Sequence, residues 1–326
     1  MPTTLIQPDT KILKIDRPLV LECGEQLTHA QITYTTMGEP NSDLSNVVWV
    51  FHALTGNANP TEWWPGLTEE NGALNAEHDF IICANVLGSC YGTTGPQDHN
   101  FPMITVRDIV KGHQLLRDEL GIKKVKLGIG GSLGGQQLLE WAVQEPDIFE
   151  NIAAIATNAQ HSPWGIAFNE AQRMALSNID KGKGLEAARA IAMLSYRHYE
   201  TFEKTQKDED QRWDDFSASS YQQYQGEKLR KRFTSETYYY LSKAMDSHNV
   251  GRHFVSIKDA LNRVNSNTLV VGIDTDILFP LKEQELIAKH IPKADFKVIE
   301  SHYGHDGFLV ESAKLNKLIK DFLGDS

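Results

Sequence analysis

Short apolar runs alternate with stretches of helical spacing along most of this chain. Such runs lie near 47–51, 80–85, 125–129, 152–156, 268–273 and 296–300, and the one at 267–273 is bounded by polar residues. Runs of this kind predict buried parallel strands. Their alternation with helical segments predicts a mostly parallel sheet covered by helices. Ahead of them, KILKI, LVLECG and HAQITYTTMG alternate apolar with polar positions, as strands at an antiparallel edge do. Between about 160 and 252 the texture changes. IAFNEAQRMALSN, GLEAARAIAMLSYRHYETF, SASSYQQYQGEKLRKRF and SETYYYLSKAMDSHN all carry helical spacing, and no strand pattern interrupts them. The block EKTQKDEDQRWDD is too polar to order a core and predicts a solvated connection. The Tyr238–Tyr240 cluster fits a core position, a substrate wall or a dimer contact, the core being favoured. A closing amphipathic helix is expected over roughly Leu309–Leu323. The expected division is a core domain made of 1–159 and 252–326, with 160–251 inserted as a helical lid.

One junction carries chemistry. Val125–Gly135 reads VKLGIGGSLGG, an apolar run closing on Gly130-Gly131-Ser132-Leu133-Gly134, and QQLLEWAVQ follows with helical spacing. A strand, a glycine turn carrying a serine and a helix make a nucleophile elbow. The neighbours of the serine must be small because the turn is strained. The helix N-terminus then points N–H groups toward the serine, where they help hold an oxyanion. The five residues alone are a weak signal, since glycine turns after strands are common.

Three further features strengthen it. NTLVVGI at 267–273 ends in Asp274-Thr275-Asp276, and loops at the carboxyl ends of parallel strands are where such sheets place catalysts. Either aspartate could serve there, and one of them suits a simple turn cap. FKVIE at 296–300 leads into SHYGHDGFL, with His302 and His305. The order Ser, acid, His is that of the α/β-hydrolase fold, an α/β class with an inserted helical lid. NVVWVF at 46–51 runs into HALTG at 52–56, the position from which the fold takes a second oxyanion donor. The backbone N–H groups of Leu54 and Leu133 are the natural pair.

The residues also resemble a family. HALTG, CANVLGSCYGTTGP at 83–96, FPMITVRDIVKGHQLLRDELGI at 101–122, GGSLGGQQLLEWA at 130–142, AFNEAQRMAL at 167–176, MDSHNVGR at 245–252 and HYGHDGFL at 302–309 are similar to the homoserine O-acyltransferases of methionine synthesis. The resemblance spans nearly the whole chain in the family's order. It implies Ser132 as nucleophile, His305 as general base and Asp276 as its orienter, because the family's acid precedes a short apolar stretch and Phe-Pro. It implies Arg173, in the FNE-x-x-R segment, as the grip on the homoserine carboxylate, and Asp306 as the partner of its ammonium. An arginine fork suits a carboxylate. It implies an acyl-CoA co-substrate, no bound cofactor and a homodimer through the lid helices. Acetyl-transferring members usually carry Met where this chain has Leu133, and often Met where it has Gln136. Leucine at the first position also occurs among succinyl-transferring members. Acetyl-CoA and succinyl-CoA therefore both stand as donors, and serine stands beside L-homoserine as acceptor. A serine hydrolase on the same fold is the rival reading. A non-catalytic scaffold fits less well, because every catalytic role is filled.

Composition narrows the class further. The chain has 326 residues, above the ~250–300 at which one core usually stops growing, so one large domain with an insertion is expected. A net charge of -11 argues against a nucleic-acid partner, which wants a basic face. It does not attract an anionic thioester either, so a local basic patch is expected to do that. No apolar run is long enough to cross a bilayer, and MPTTLIQPDT lacks the features of a secretory leader. A cytoplasmic enzyme is expected. Three cysteines, Cys23, Cys83 and Cys90, fit a reducing compartment. Twelve histidines show no H-E-x-x-H spacing, and no metal site is expected.

Overall fold

The structure is a computed structural model and describes residues 9–98, 100–176 and 180–324. The chain opens with β1 (Asp9–Lys14), a hairpin of β2 (Leu19–Val20) and β3 (Gln26–Leu27), and β4 (Gln31–Met37). Next come β5 (Val47–Phe51), the short helices α1 (Pro60–Trp63) and α2 (Pro65–Thr68), β6 (Phe80–Ala84) and α3 (Val106–Glu119). The elements β7 (Val125–Gly131), α4 (Leu133–Gln144) and β8 (Phe149–Ile155) follow. Only helices then appear among the described residues before the next strand: α5 (Pro163–Leu176), α6 (Lys181–Tyr196), α7 (Tyr199–Thr205), α8 (Ser217–Arg230), α9 (Ser235–Asp246) and α10 (Ile257–Leu261). The chain closes with β9 (Asn267–Ile273), α11 (Leu281–His290), β10 (Ala294–Ile299), α12 (Gly307–Val310) and α13 (Ser312–Leu323).

Among the described residues eight strands form one sheet in the order β1-β4-β6-β5-β7-β8-β9-β10. β4 runs antiparallel to both its neighbours, and every pair from β6 to β10 is parallel. Alternation sorts the strand residues into two layers. On β5, Val47, Trp49 and Phe51 join one apolar cluster, while Val48 and Val50 join the other. The first layer packs α3 and α4, with Trp49 and Phe51 edge-on to Trp141 of α4. The second takes Leu315 and Ile319 of α13. Both faces are thus dry, which is why the central strands read as continuous apolar runs. Helix α3 begins at a capping box in which Thr105 and Asp108 satisfy each other's backbone N–H groups.

The structure departs from the sequence pattern in four places. LVLECG forms only a two-residue strand, because the chain turns back at Gly24, where Leu21 N–H donates to Glu25 O. The expected last strand does form, but at the sheet edge, where Val298 is exposed rather than buried. The closing helix is two pieces, broken at Glu311 (φ -82°, ψ 42°). GLEAARAIAMLSYRHYETF is also two helices, split at Arg197, whose backbone is extended. The split is where the His305 turn packs: a Cβ on Gly304, at φ +66°, would lie 2.8 Å from His198 N. A continuous helix there would leave no room for that turn.

The ends of the helical segment meet at an isolated antiparallel bridge, Gln160 with Asn249. His161 N–H donates to His248 O and Val250 N–H to Ala159 O on either side of it. Residues 206–216 lie outside any helix and are mostly exposed, and Tyr238 and Tyr240 are buried. No helix among the described residues is long and apolar enough to cross a membrane.

Candidate active site

Ser132 is the single residue between β7 and α4, and its backbone is strained at φ 58°, ψ -127°. Non-glycine residues rarely adopt positive φ, and they persist there only when the surroundings dictate it. Here they do. Ser132 N–H donates to Ile155 O, and Ser132 O accepts from Gln136 N–H and the Thr157 hydroxyl. A Cβ on Gly134 would lie 2.2 Å from Phe51 O, so the first turn of α4 can approach the end of β5 only as glycine. This close approach joins the serine turn to the loop after β5.

That loop holds Leu54, and Leu133 opens α4; both are buried. Three residues that the sequence did not single out tie these two segments together. Gln137 Nε2 donates to both His52 O and Leu133 O, each at 3.1 Å. His113 Nε2–H donates to Gln137 Oε1 at 3.0 Å and so orients that amide. His52 Nε2 accepts Val86 N–H at 3.0 Å, which leaves Nδ1–H to donate to Ala53 O at 2.8 Å. Burial holds the His52 and His113 imidazoles down at about 4, so both stay neutral and keep these tautomers. The only sequence signal for this support is its location: His52 opens HALTG and Gln137 lies one helical turn past Leu133.

The loop after β9 resolves the two aspartates. Asp274 Oδ1 accepts Ser301 N–H at 2.8 Å, and the Thr275 hydroxyl accepts Gly304 N–H at 3.1 Å. These two bind the neighbouring loop in place. Asp276 turns the other way. Its Oδ1 accepts the N–H groups of Leu278 and Phe279 at 2.8 and 2.9 Å, and its Oδ2 accepts His305 Nδ1–H at 2.6 Å. Both side chains are buried. The His305 ring packs among Phe279, Phe308 and Tyr196, at centroid distances of 5.1, 5.3 and 5.7 Å. With Nδ1–H committed to a carboxylate, Nε2 is the nitrogen left to take a proton.

Arg173 and Asp306 do not pair with each other; each holds another partner. Arg173 Nη2 donates to Asp246 Oδ2 at 2.6 Å, Nη1 to Ser242 Oγ at 3.2 Å, and Nε to Glu170 Oε2 at 2.8 Å. Asp246 also accepts from Asn169 Nδ2 at 2.8 Å. Asn169 in turn reaches His161, which Gln136 of α4 contacts from the other side at 3.2 Å. A polar chain therefore runs from the first turn after Ser132 to Arg173. Burial holds His161 at about 4 and pushes the Asp246 carboxyl up. Asp306, next to His305, lies 2.8 Å from Arg197 Nε, off the line of a hydrogen bond. Asp246 falls in MDSHNVGR and Arg197 in the helical stretch GLEAARAIAMLSYRHYETF, and periodicity distinguishes neither.

A strained serine turn on a parallel sheet, a buried Asp–His pair and a helical segment between β8 and β9 define an α/β hydrolase, and a family model of the alpha/beta hydrolase fold matches residues 46–312. Its solved relatives do more than one chemistry. A homoserine O-acetyltransferase from Bacillus anthracis superposes with a TM-score of 0.88 at 21% identity, over 97% of this chain and 98% of that one. An acetylester hydrolase from Corynebacterium glutamicum superposes with a TM-score of 0.86 at 22% identity, over 97% of this chain and 96% of that one. At these identities the likeness is one of fold. Sequence relatives are closer: the homoserine O-acetyltransferase of Cyclobacterium marinum is 46% identical over 98% of this chain and 97% of its own length. The chain belongs to the homoserine O-acetyltransferase family.

Proposed function

We propose that this protein transfers an acetyl group from acetyl-CoA to the hydroxyl of L-homoserine through an acyl-serine. The 2.6 Å Asp276–His305 hydrogen bond, together with the strained Ser132 turn, carries the catalytic part of this reading. The near-full-length likeness to homoserine O-acetyltransferases supports the donor and acceptor.

In the first half-reaction Ser132 Oγ attacks the thioester carbonyl while His305 Nε2 takes its proton. Asp276 holds the imidazole in the required tautomer and stabilises the imidazolium. The N–H groups of Leu54 and Leu133 hold the tetrahedral oxyanion. The C–S bond breaks, and the thiolate leaves with the proton from His305. In the second half-reaction the homoserine hydroxyl gives its proton to His305 and attacks the acyl carbonyl. Ser132 leaves as the alcohol and recovers that proton. Arg173 grips the acceptor carboxylate and Asp306 its ammonium. Such positioning lets an alcohol outcompete water at about 55 M, because a well-oriented nucleophile reaches an effective molarity of about 10⁵ M or more. The helices of 160–251 act as the lid that supplies it.

The test is thiol release from acetyl-CoA and from succinyl-CoA, each with and without L-homoserine. Release that depends on homoserine and favours acetyl-CoA is expected. Faster release from succinyl-CoA would change the donor. Release indifferent to homoserine would make the protein a hydrolase.

A further inference from the structure

The charge around Arg173 does not balance. One guanidinium faces two carboxylates, Asp246 and Glu170. His161, whose Nε2 lies 4.0 Å from Asp246, is held neutral by burial and adds no positive charge. A third carboxylate arriving from a substrate would meet a cluster that is already net negative. One of the two resident carboxylates must give way for Arg173 to bind it.

The geometry distinguishes the two. The Asp246 side chain is 19% exposed, bridges α9 to α5 and is itself held by Asn169. The Glu170 side chain is 59% exposed and lies one helical turn from Arg173 on the same helix. An exposed ion pair of that kind is weak and is screened by salt. Glu170 also makes poor use of its place. Its single Oε2 lies 2.8 Å from Nε and 2.7 Å from Nη2 of Arg173. That edge of a guanidinium accepts both oxygens of a carboxylate in parallel. A free carboxylate in the fork would therefore form two aligned bonds where Glu170 shares one oxygen.

We propose that Glu170 is a built-in counter-ion of Arg173, displaced by the carboxylate of the acceptor, and that this exchange sets acceptor affinity. The proposal rests on the acceptor reading given above. Glu170 keeps the Nε and Nη2 donors of a guanidinium that is only 6% exposed paired while no substrate is bound, since a buried donor left without an acceptor is costly. It also makes the site selective. An alcohol without a carboxylate cannot displace Glu170 and leaves the fork closed.

Steady-state kinetics with acetyl-CoA test this on Glu170→Gln and Glu170→Ala, using L-homoserine and L-homoserine amide as acceptors. The exchange predicts that the KM for homoserine falls about two- to fivefold in Glu170→Gln, the scale of one exposed ion pair. The KM for the amide should not fall, because the amide presents no carboxylate to the fork. A homoserine KM that stays level or rises in both variants would mean that Glu170 only orients Arg173, and would overturn the proposal. An equal fall for homoserine and its amide would overturn it as well. Wild-type protein without homoserine-dependent turnover would overturn the acceptor reading and this proposal together. Wild-type turnover with an unmoved KM in the variants would overturn this proposal alone.

Discussion

The loops at the strand ends and the helical segment hold their functional side chains in different ways. Around Ser132, Asp276 and His305 the partners are largely backbone groups. Ser132 is held by Ile155 O and Gln136 N–H, Asp276 by two N–H groups, and the loop before His305 by Asp274 and Thr275. Around Arg173 and Asp306 the partners are side chains, namely Glu170, Asp246, Ser242 and Arg197. Backbone partners are fixed by the sheet and survive most substitutions. Side-chain ion pairs can be exchanged for a ligand. The difference suits the division of labour proposed here: chemistry needs a geometry that does not yield, and recognition needs partners that do.

This contrast can be broken at four points. Ser132→Ala should lower acyl transfer about 10⁴-fold or more, since it removes the group that carries the acyl. Single-turnover thiol release measures this, and retained burst release would refute the covalent route. Asp276→Asn should lower kcat about 10³- to 10⁴-fold, because an amide that donates to His305 favours the wrong tautomer. A drop of less than tenfold would mean that Asp276 holds its loop and little else. Arg173→Lys should raise the homoserine KM about 10- to 100-fold, the scale of lost hydrogen bonds between charged groups. A KM that stays put would move the carboxylate to another cation, such as Arg197 beside Asp306.

The smallest effect concerns His113, buried beneath the serine turn. Folded His113 stays neutral down to about 4, whereas the unfolded chain protonates near 6.5. The unfolded state therefore binds more protons between those values, and stability falls as pH drops through that window. His113 alone contributes at most about 1.4 kcal/mol per pH unit to that slope. His113→Gln removes the contribution. Urea unfolding at pH 6.5 and 5 should show the wild type losing more stability than the variant. Buried carboxyls such as Glu140, which burial pushes up, act in the opposite sense and cancel in the difference. Equal losses would show that the imidazole is not held neutral.

The Ser132 turn was legible in the chain because its signal is local. An apolar run announces β7, glycines mark the tight turn, and helical spacing resumes at once. The sheet was legible for a similar reason, since dry strands read as continuous apolar runs. Asp276 was legible as the candidate acid through a family pattern, and residue spacing alone did not separate it from Asp274. The splits at Arg197 and Glu311 were not legible, because neither position carries a helix breaker and both follow from packing.

By itself, then, the sequence determined the order of strands and helices, the elbow at Ser132 and the candidate residues for acyl chemistry. The elements and the elbow follow from steric limits and burial patterns that act over a few residues, whereas Asp276, Arg173 and Asp306 were singled out only by the family pattern. The tertiary structure alone decided which residues hold them: Gln137 across 85 positions to His52, Asp246 across 73 to Arg173, and Asp276 across 29 to His305. Pairings at such separations depend on how the helices seat against the sheet, and no local preference encodes them.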